Sequence, residues 1–505
     1  MTLLLKDALI YDGTGEAPRR GSVLVREGRI AALDPAEAPR DAEVHTLNGL
    51  ALAPGFIDLH SHSDVQTLHG DMAKAQQGVT TELVGNCGFS AFPHAGHAAE
   101  AGAYNRGILA GEQTFDSARA FFTAARGTDT TAHLESLVGH GTLRTAVRAS
   151  HPEATLRELI EREAALLDDA LAEGAAGFST GLMYAPGATA PREELQALCA
   201  VTARRGKLYA SHIRDYSWQL LDAIDEQIEL ARATGCRLQI SHLQAVGAAN
   251  WPKQPAAIAR IEAARAQGLD VAFDAYPYAA GCTVLSQLVP QRALENGFAA
   301  FAASLSDAAT RSTLEHEIRE HTAQAWHDIY VPSHGPLASG RSVAGQSLAQ
   351  ISESWQQPPE AVILDLLRDA DGDVNMLSFN QSEENLRATL THPLAAVITD
   401  GIHMGANSHP RLYGTFPHLL GALCREQRWM RLETAIHKIT ALPAARLGLT
   451  DRGRLEPGCR ADLVLFDPAT IGTTADYNDP LHSPAGIVRV FRDGQPMDLT
   501  RQHYA

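Results

Sequence analysis

Over the first fifty residues, short runs of alternating apolar and polar positions are separated by turn residues. Ser22-Val23-Leu24-Val25-Arg26 and Arg29-Ile30-Ala31-Ala32-Leu33 flank Glu27-Gly28, which predicts a hairpin. The far end is patterned alike. Gly458 precedes Ala461-Asp462-Leu463-Val464-Leu465-Phe466, and Val488-Arg489-Val490-Phe491 leads to Asp493-Gly494. The simplest arrangement is one small β domain built from residues 1–53 and 441–505, with residues 54–440 inserted between them. The middle is patterned differently. Short apolar runs alternate with alanine-rich amphipathic segments such as Leu220–Thr234 and Ala256–Gln267, which predicts βα units and a parallel sheet. The strand candidates are 54–60, 79–85, 133–139, 175–180, 207–212, 237–242, 270–276, 373–380 and 394–400. Nine candidates compete for the eight places of a (β/α)8 TIM barrel. The spacing widens after 276, and residues 285–345, rich in Ala and His, predict a mainly helical insertion.

Composition narrows the class. A chain of 505 residues, 45% hydrophobic, suits a large α/β barrel with an accessory domain. The formal net charge is −17, and only 5 of 42 basic residues are lysines, so no basic run is dense enough for nucleic acid or a polybasic membrane site. The expected partner is a small-molecule substrate; the sequence carries no signal for an oligomeric state. The six cysteines have no paired spacing, so no disulfide framework is expected. No apolar run reaches the roughly 18 residues of a membrane span, and the N-terminus lacks the basic region of a signal peptide. A cytoplasmic, reducing location is the expectation.

The candidate chemistry lies at strand ends, where a barrel keeps its active site. Pro54-Gly55-Phe56-Ile57-Asp58-Leu59-His60-Ser61-His62 is an apolar strand that ends in two histidines. Alternate side chains on a strand share a face, so His60 and His62 can hold one divalent cation. The next strand runs into Gly85-Asn86-Cys87-Gly88, where a thiolate between glycines can approach a cation; taken alone, Cys87 reads as a small buried residue. Two later strands end in Ser211-His212 and Ser241-His242, thirty residues apart, the length of one βα unit. The final strand ends at Asp400. His94, His97, His133 and His151 lack this placement and are read as surface residues.

Several segments together resemble the N-acyl-D-amino-acid deacylase (D-aminoacylase) family of the metal-dependent amidohydrolase superfamily. They are Gly55 to His62, Gly78-Val79-Thr80-Thr81 with Gly85 to Gly88, Gly177 to Leu182, Ser211-His212-Ile213-Arg214-Asp215, Asp274-Ala275-Tyr276-Pro277-Tyr278 and His409 to Phe416. The resemblance implies a (β/α)8 barrel with a small β-sandwich. It also implies one tight Zn2+ on Cys87, His212 and His242, a weaker or vacant second site at His60 and His62 with Asp400, and Asp400 as general base. Arg411, assisted by Tyr276, would bind the substrate's α-carboxylate. Independently, no lysine lies between Lys74 and Lys207, which argues against a metal centre bridged by a carboxylated lysine on a middle strand. Two departures bear on specificity. The family's Ser-His-His-Lys reads Ser241-His242-Leu243-Gln244 here, so the substrate-binding position 244 carries no charge. The stretch Leu285 to Pro290 also lacks the arginine of acidic-substrate members, which predicts a pocket for neutral or apolar side chains. Hydrolysis of another amide (D-residue dipeptides, N-carbamoyl compounds, lactams) is the alternative within hydrolases. A non-catalytic metabolite-binding barrel is the alternative of another class.

Overall fold

A computed structural model describes residues 2–500 apart from 112, 129, 333, 336, 338 and 405–407. The chain opens with β1 (Thr2–Ile10), β2 (Arg19–Arg26), β3 (Arg29–Leu33), β4 (Glu43–Thr46) and β5 (Ala51–Pro54). There follow β6 (Phe56–Asp58), β7 (Val79–Val84), β8 (His133–Gly139), β9 (Gly177–Gly181), β10 (Leu208–His212), β11 (Arg237–Ile240) and β12 (Val271–Ala275). An excursion carries β13 (Ala280–Val284), β14 (Ile329–Val331), β15 (Gln346–Ser347) and β16 (Asn375–Phe379). The chain ends with β17 (Ala395–Val397), β18 (Leu463–Phe466), β19 (Ile487–Arg492) and β20 (Gln495–Pro496).

Strands β6 to β12 and β17 form one parallel eight-stranded sheet, with helices between most neighbours. Its two edges meet just past the strand ends: Asp400 N–H donates to His60 O at 2.9 Å, and Ser61 bridges Gly401 in parallel register. This is the expected (β/α)8 barrel, closed by the last strand against the first. Leu59, Leu83, Leu137, Leu208, Ala210 and Ile398 fill its interior. The surplus strand candidate is 373–380. Its core, β16, pairs with β13 and β14 in a separate four-stranded antiparallel sheet. The excursion therefore reaches beyond residue 345 and is not only helical, because this sheet gives its helices a surface to pack on.

The two chain ends share one eight-stranded sheet in the order β20-β19-β18-β5-β1-β2-β3, with β4 also on β1. Strand alternation divides its residues between two cores. Leu52, Leu463 and Leu465 join Leu3, Leu5, Val23 and Val25 in a core enclosed by the curled sheet. Ala51, Ala53, Val464 and Phe466 face the other way and pack with Phe56 and Phe416 of the barrel. That shared core fixes the sheet to the barrel wall.

The barrel seam also holds a buried ion pair. Lys74 Nζ donates to Asp58 Oδ2 at 2.6 Å, to Ser61 Oγ at 3.1 Å and to Thr399 Oγ1. The other Asp58 oxygen accepts from the Thr399 N–H at 3.0 Å, so the pair ties β6 to the strand leading to Asp400. Lys74→Met would leave the Asp58 carboxylate buried without a cation, at a cost of about 3–5 kcal/mol. The urea midpoint should fall accordingly. A change within about 0.5 kcal/mol, as for a surface substitution, would contradict this role for the pair.

Candidate active site

Each strand that the sequence singled out delivers its polar side chain to the same rim. His60 and His62 follow β6, Cys87 follows β7, His212 ends β10, His242 follows β11 and Asp400 follows β17. All six are buried. Cys87, His242 and Asp400 have positive φ values of 54°, 35° and 49°, which non-glycine residues rarely adopt. Backbone strain of this kind persists where surrounding contacts over-determine it, and it concentrates at functional sites. Around Cys87 the glycines are steric requirements. A Cβ on Gly85 would lie 2.1 Å from Leu137 O, and one on Gly88 2.7 Å from Gly181 N.

The donors fall into two groups that share Cys87. In one, Cys87, His212 and His242 bring their ligand atoms within 4.8 Å of one another; in the other, His60, His62, Cys87 and Asp400 do the same. Cys87 Sγ lies 3.4 Å from His242 Nε2 and 3.2 Å from His60 Nε2. Asp400 Oδ1 lies 3.4 Å from His60 Nε2 and 3.2 Å from His62 Nε2. Zinc–ligand bonds of about 2.0–2.3 Å would separate tetrahedral neighbours by roughly 3.3–3.7 Å; the two spacings of 3.4 Å suit atoms around a common ion, and the two of 3.2 Å are slightly closer. The unsatisfied groups agree. Both ring nitrogens of His212, buried as they are, have no hydrogen-bond partner. Burial holds His212 well below its usual range and brings His62 and His242 down to about 4, so these imidazoles are neutral and offer lone pairs. Burial also raises the Cys87 thiol, which therefore ionises only with a cation beside it. The residues fit a divalent metal.

Asp400 is the charged centre of the group. Burial alone would raise its carboxyl, but Arg411 and His60 outweigh burial and hold it well below the usual carboxylate range. Arg411 Nη1 lies 2.9 Å from Asp400 Oδ2, and its Nη2 donates to Cys282 O at 3.1 Å. The Arg411 guanidinium lies over the Tyr276 ring, 4.7 Å from its centroid, and Tyr276 OH donates to Gln244 Oε1 at 3.0 Å. Cys87, His212, His242, Asp400, Arg411, Tyr276 and Gln244 all line one cavity, while His60 stands behind it. From the stretch 285–290, Gln287 and Leu288 line the cavity, but Leu285 and Val289 are buried in the core of the excursion. The apolar segment is thus only partly a pocket wall, because Leu285 and Val289 anchor the excursion.

Two positioning residues carry no signal among the strand-end motifs. Asp274 accepts the His242 N–H at 2.7 Å and the Gln239 amide at 2.8 Å, and lies 3.5 Å from His60 Nδ1. It secures the strained backbone at His242. In the sequence it opens the segment Asp274-Ala275-Tyr276-Pro277-Tyr278, one of those that carry the family resemblance. His409 accepts the Arg411 N–H at Nδ1 (2.9 Å), and its Nε2 lies 2.9 Å from Ala280 O, which fixes the backbone from which Arg411 projects.

Comparison with known proteins finds relatives along nearly the whole chain. The chain is 36% identical over 502 residues to the N-acyl-D-glutamate deacylase of Alcaligenes xylosoxydans xylosoxydans, covering 98% of this chain and 93% of that one. It is 34% identical over 502 residues to the D-aminoacylase of the same organism, covering 98% and 94%. Among solved structures it is similar to the N-acyl-D-glutamate deacylase of Bordetella bronchiseptica complexed with zinc and a phosphonate inhibitor. There the TM-score is 0.83 at 34% identity, covering 98% of this chain and 96% of that one. Residues 43–497, which take in every side chain of the rim, match the model of the amidohydrolase family, and the chain belongs to that family.

Proposed function

We propose that the protein is a zinc-dependent deacylase that hydrolyses the amide bond of N-acyl-D-amino acids with neutral or apolar side chains. The products would be a D-amino acid and a carboxylate. The observation that carries this reading is the cysteine and two neutral histidines beside a carboxylate already ionised by an arginine. Relatives named for this reaction support it. Cys87, His212 and His242 would hold the zinc, which would supply Lewis acidity to an amide carbonyl and make water more acidic. The protein's own groups do the rest. Asp400 accepts the proton of the attacking water and returns it to the leaving amine, a base that becomes an acid. Its low pKa keeps it ionised, and therefore competent as base, across the neutral range. His60 and His62 flank it and orient its carboxylate.

Arg411 binds the substrate's α-carboxylate. Its Nε has no hydrogen-bond partner and remains as a donor. A planar guanidinium suits a carboxylate. Gln244 commits its oxygen to Tyr276, which leaves its amide hydrogens to support the same carboxylate. Among the described residues lining the cavity, Arg214 is a second arginine, but Glu226 engages it through contacts of 3.0–3.3 Å. An acidic substrate side chain therefore meets no free guanidinium.

Three measurements test this reading. Purified Cys87→Ala should lose most of its zinc and its activity together; full zinc occupancy would remove Cys87 from the ligand set. Asp400→Asn should keep fold and zinc but lose turnover by about 10²–10⁴, the usual worth of a general base. Activity within a few-fold of the parent would assign the base elsewhere. In kcat/KM, N-acetyl-D-leucine or N-acetyl-D-methionine should exceed N-acetyl-D-glutamate by about a hundredfold or more, since burying an unpaired carboxylate costs several kcal/mol. A preference for the glutamate derivative would overturn the proposed specificity.

A further inference from the structure

At the opposite end of the barrel, three more ligand-type side chains converge. His133 begins β8, Asp462 precedes β18, and Asp493 follows β19. They come from the barrel and from the terminal sheet, and their ligand atoms lie within 4.8 Å of one another. About seven residues of β8, roughly 20 Å of strand, separate His133 from the rim that holds Cys87. From sequence alone His133 reads as a surface residue. The structure instead places it against the terminal sheet, partly buried.

The spacing is informative. His133 Nε2 lies 3.3 Å from Asp462 Oδ2 and 3.5 Å from Asp493 Oδ2. Histidine–carboxylate pairs elsewhere among the described residues span 2.7–4.0 Å. His140–Glu194, His45–Glu43 and His482–Asp479 all stand at 2.7 Å, the ordinary length for a charge-assisted bond. Tetrahedral neighbours on zinc, each about 2.0–2.2 Å from the metal, are separated by about 3.3–3.6 Å. His133 stands at that spacing from both carboxylates.

Both Asp462 oxygens lie near His133 Nε2, Oδ1 at 3.4 Å and Oδ2 at 3.3 Å, and Asp493 turns Oδ2 toward it. Asp462 is 4% exposed; its Oδ1 accepts the Asp493 N–H at 2.8 Å, and its Oδ2 has no hydrogen-bond partner. Asp493 Oδ1 accepts from Arg460 Nη1 at 2.7 Å, which leaves Oδ2 for His133. An unpaired carboxylate oxygen at this depth calls for a cation. Asp493 stays partly open to solvent, so water can complete the coordination.

We infer that His133, Asp462 and Asp493 form a second divalent-cation site, of the nitrogen-and-oxygen type that takes zinc, which clamps the terminal sheet to the floor of the barrel. The inference does not depend on the proposed substrate or on the ligand set at Cys87. The test uses the full-length protein, His133→Gln and Asp493→Asn. Asparagine tolerates the positive φ of 50° at position 493, so the second variant keeps the turn. Each protein is equilibrated with excess zinc, freed of loosely bound metal by gel filtration, and assayed for zinc per chain, melting temperature and amide hydrolysis. The expected result is one zinc fewer per chain in each variant, a zinc-dependent rise in melting temperature only in the parent, and unchanged hydrolysis. Equal zinc content and equal zinc response in all three proteins would overturn the site and leave an ordinary histidine–aspartate ion pair. Loss of zinc together with hydrolysis would also overturn it, by tracing the metal to the catalytic rim.

Discussion

The carboxylate of Asp400 sits in a place where a bare charge could not survive, and the contacts that keep it ionised define the site. Burial opposes the charge, while Arg411 and His60 restore it. The same arrangement keeps His62, His212 and His242 neutral, since each is buried with too little negative charge nearby to hold a proton. A buried rim therefore contains an ionised carboxylate and unprotonated nitrogen donors at once, a combination that suits metal-assisted hydrolysis.

That electrostatic balance rests on backbone geometry. Cys87, His242 and Asp400 occupy left-handed conformations, and neighbouring strands hold the latter two. Asp274 accepts the His242 N–H, and His60 O accepts the Asp400 N–H where the last strand closes on the first. Two ion pairs lie along this closure, Lys74 with Asp58 below and Arg411 with Asp400 above. The seam that completes the barrel is thus also the seam that positions the Asp400 carboxylate.

The rim was legible in the sequence because parallel strands are apolar runs whose ends are marked by polar residues. His60, His62, Cys87, His212, His242 and Asp400 all occupy such ends. The pattern could not say which of nine apolar runs lies outside the barrel, since β16 is as apolar as its barrel counterparts and only its antiparallel partners distinguish it. Asp274 and Lys74 were not legible as working residues. Their roles are set by contacts across the barrel that leave no periodic trace. Arg411 was found through resemblance, but its pairing with Asp400 depends on the fold between positions 400 and 411. His133 looked like a surface residue because its partners, Asp462 and Asp493, lie more than three hundred residues away.

The central claim is that a thiolate and two imidazoles of this rim hold the metal. It is tested most directly by replacing the metal with cobalt(II) in the parent protein and recording its absorption spectrum during titration. The account predicts that the first equivalent produces a thiolate-to-cobalt charge-transfer band in the near ultraviolet, with the visible bands of tetrahedral coordination. A first equivalent that binds without any thiolate band would contradict it, because the tight site would then exclude Cys87.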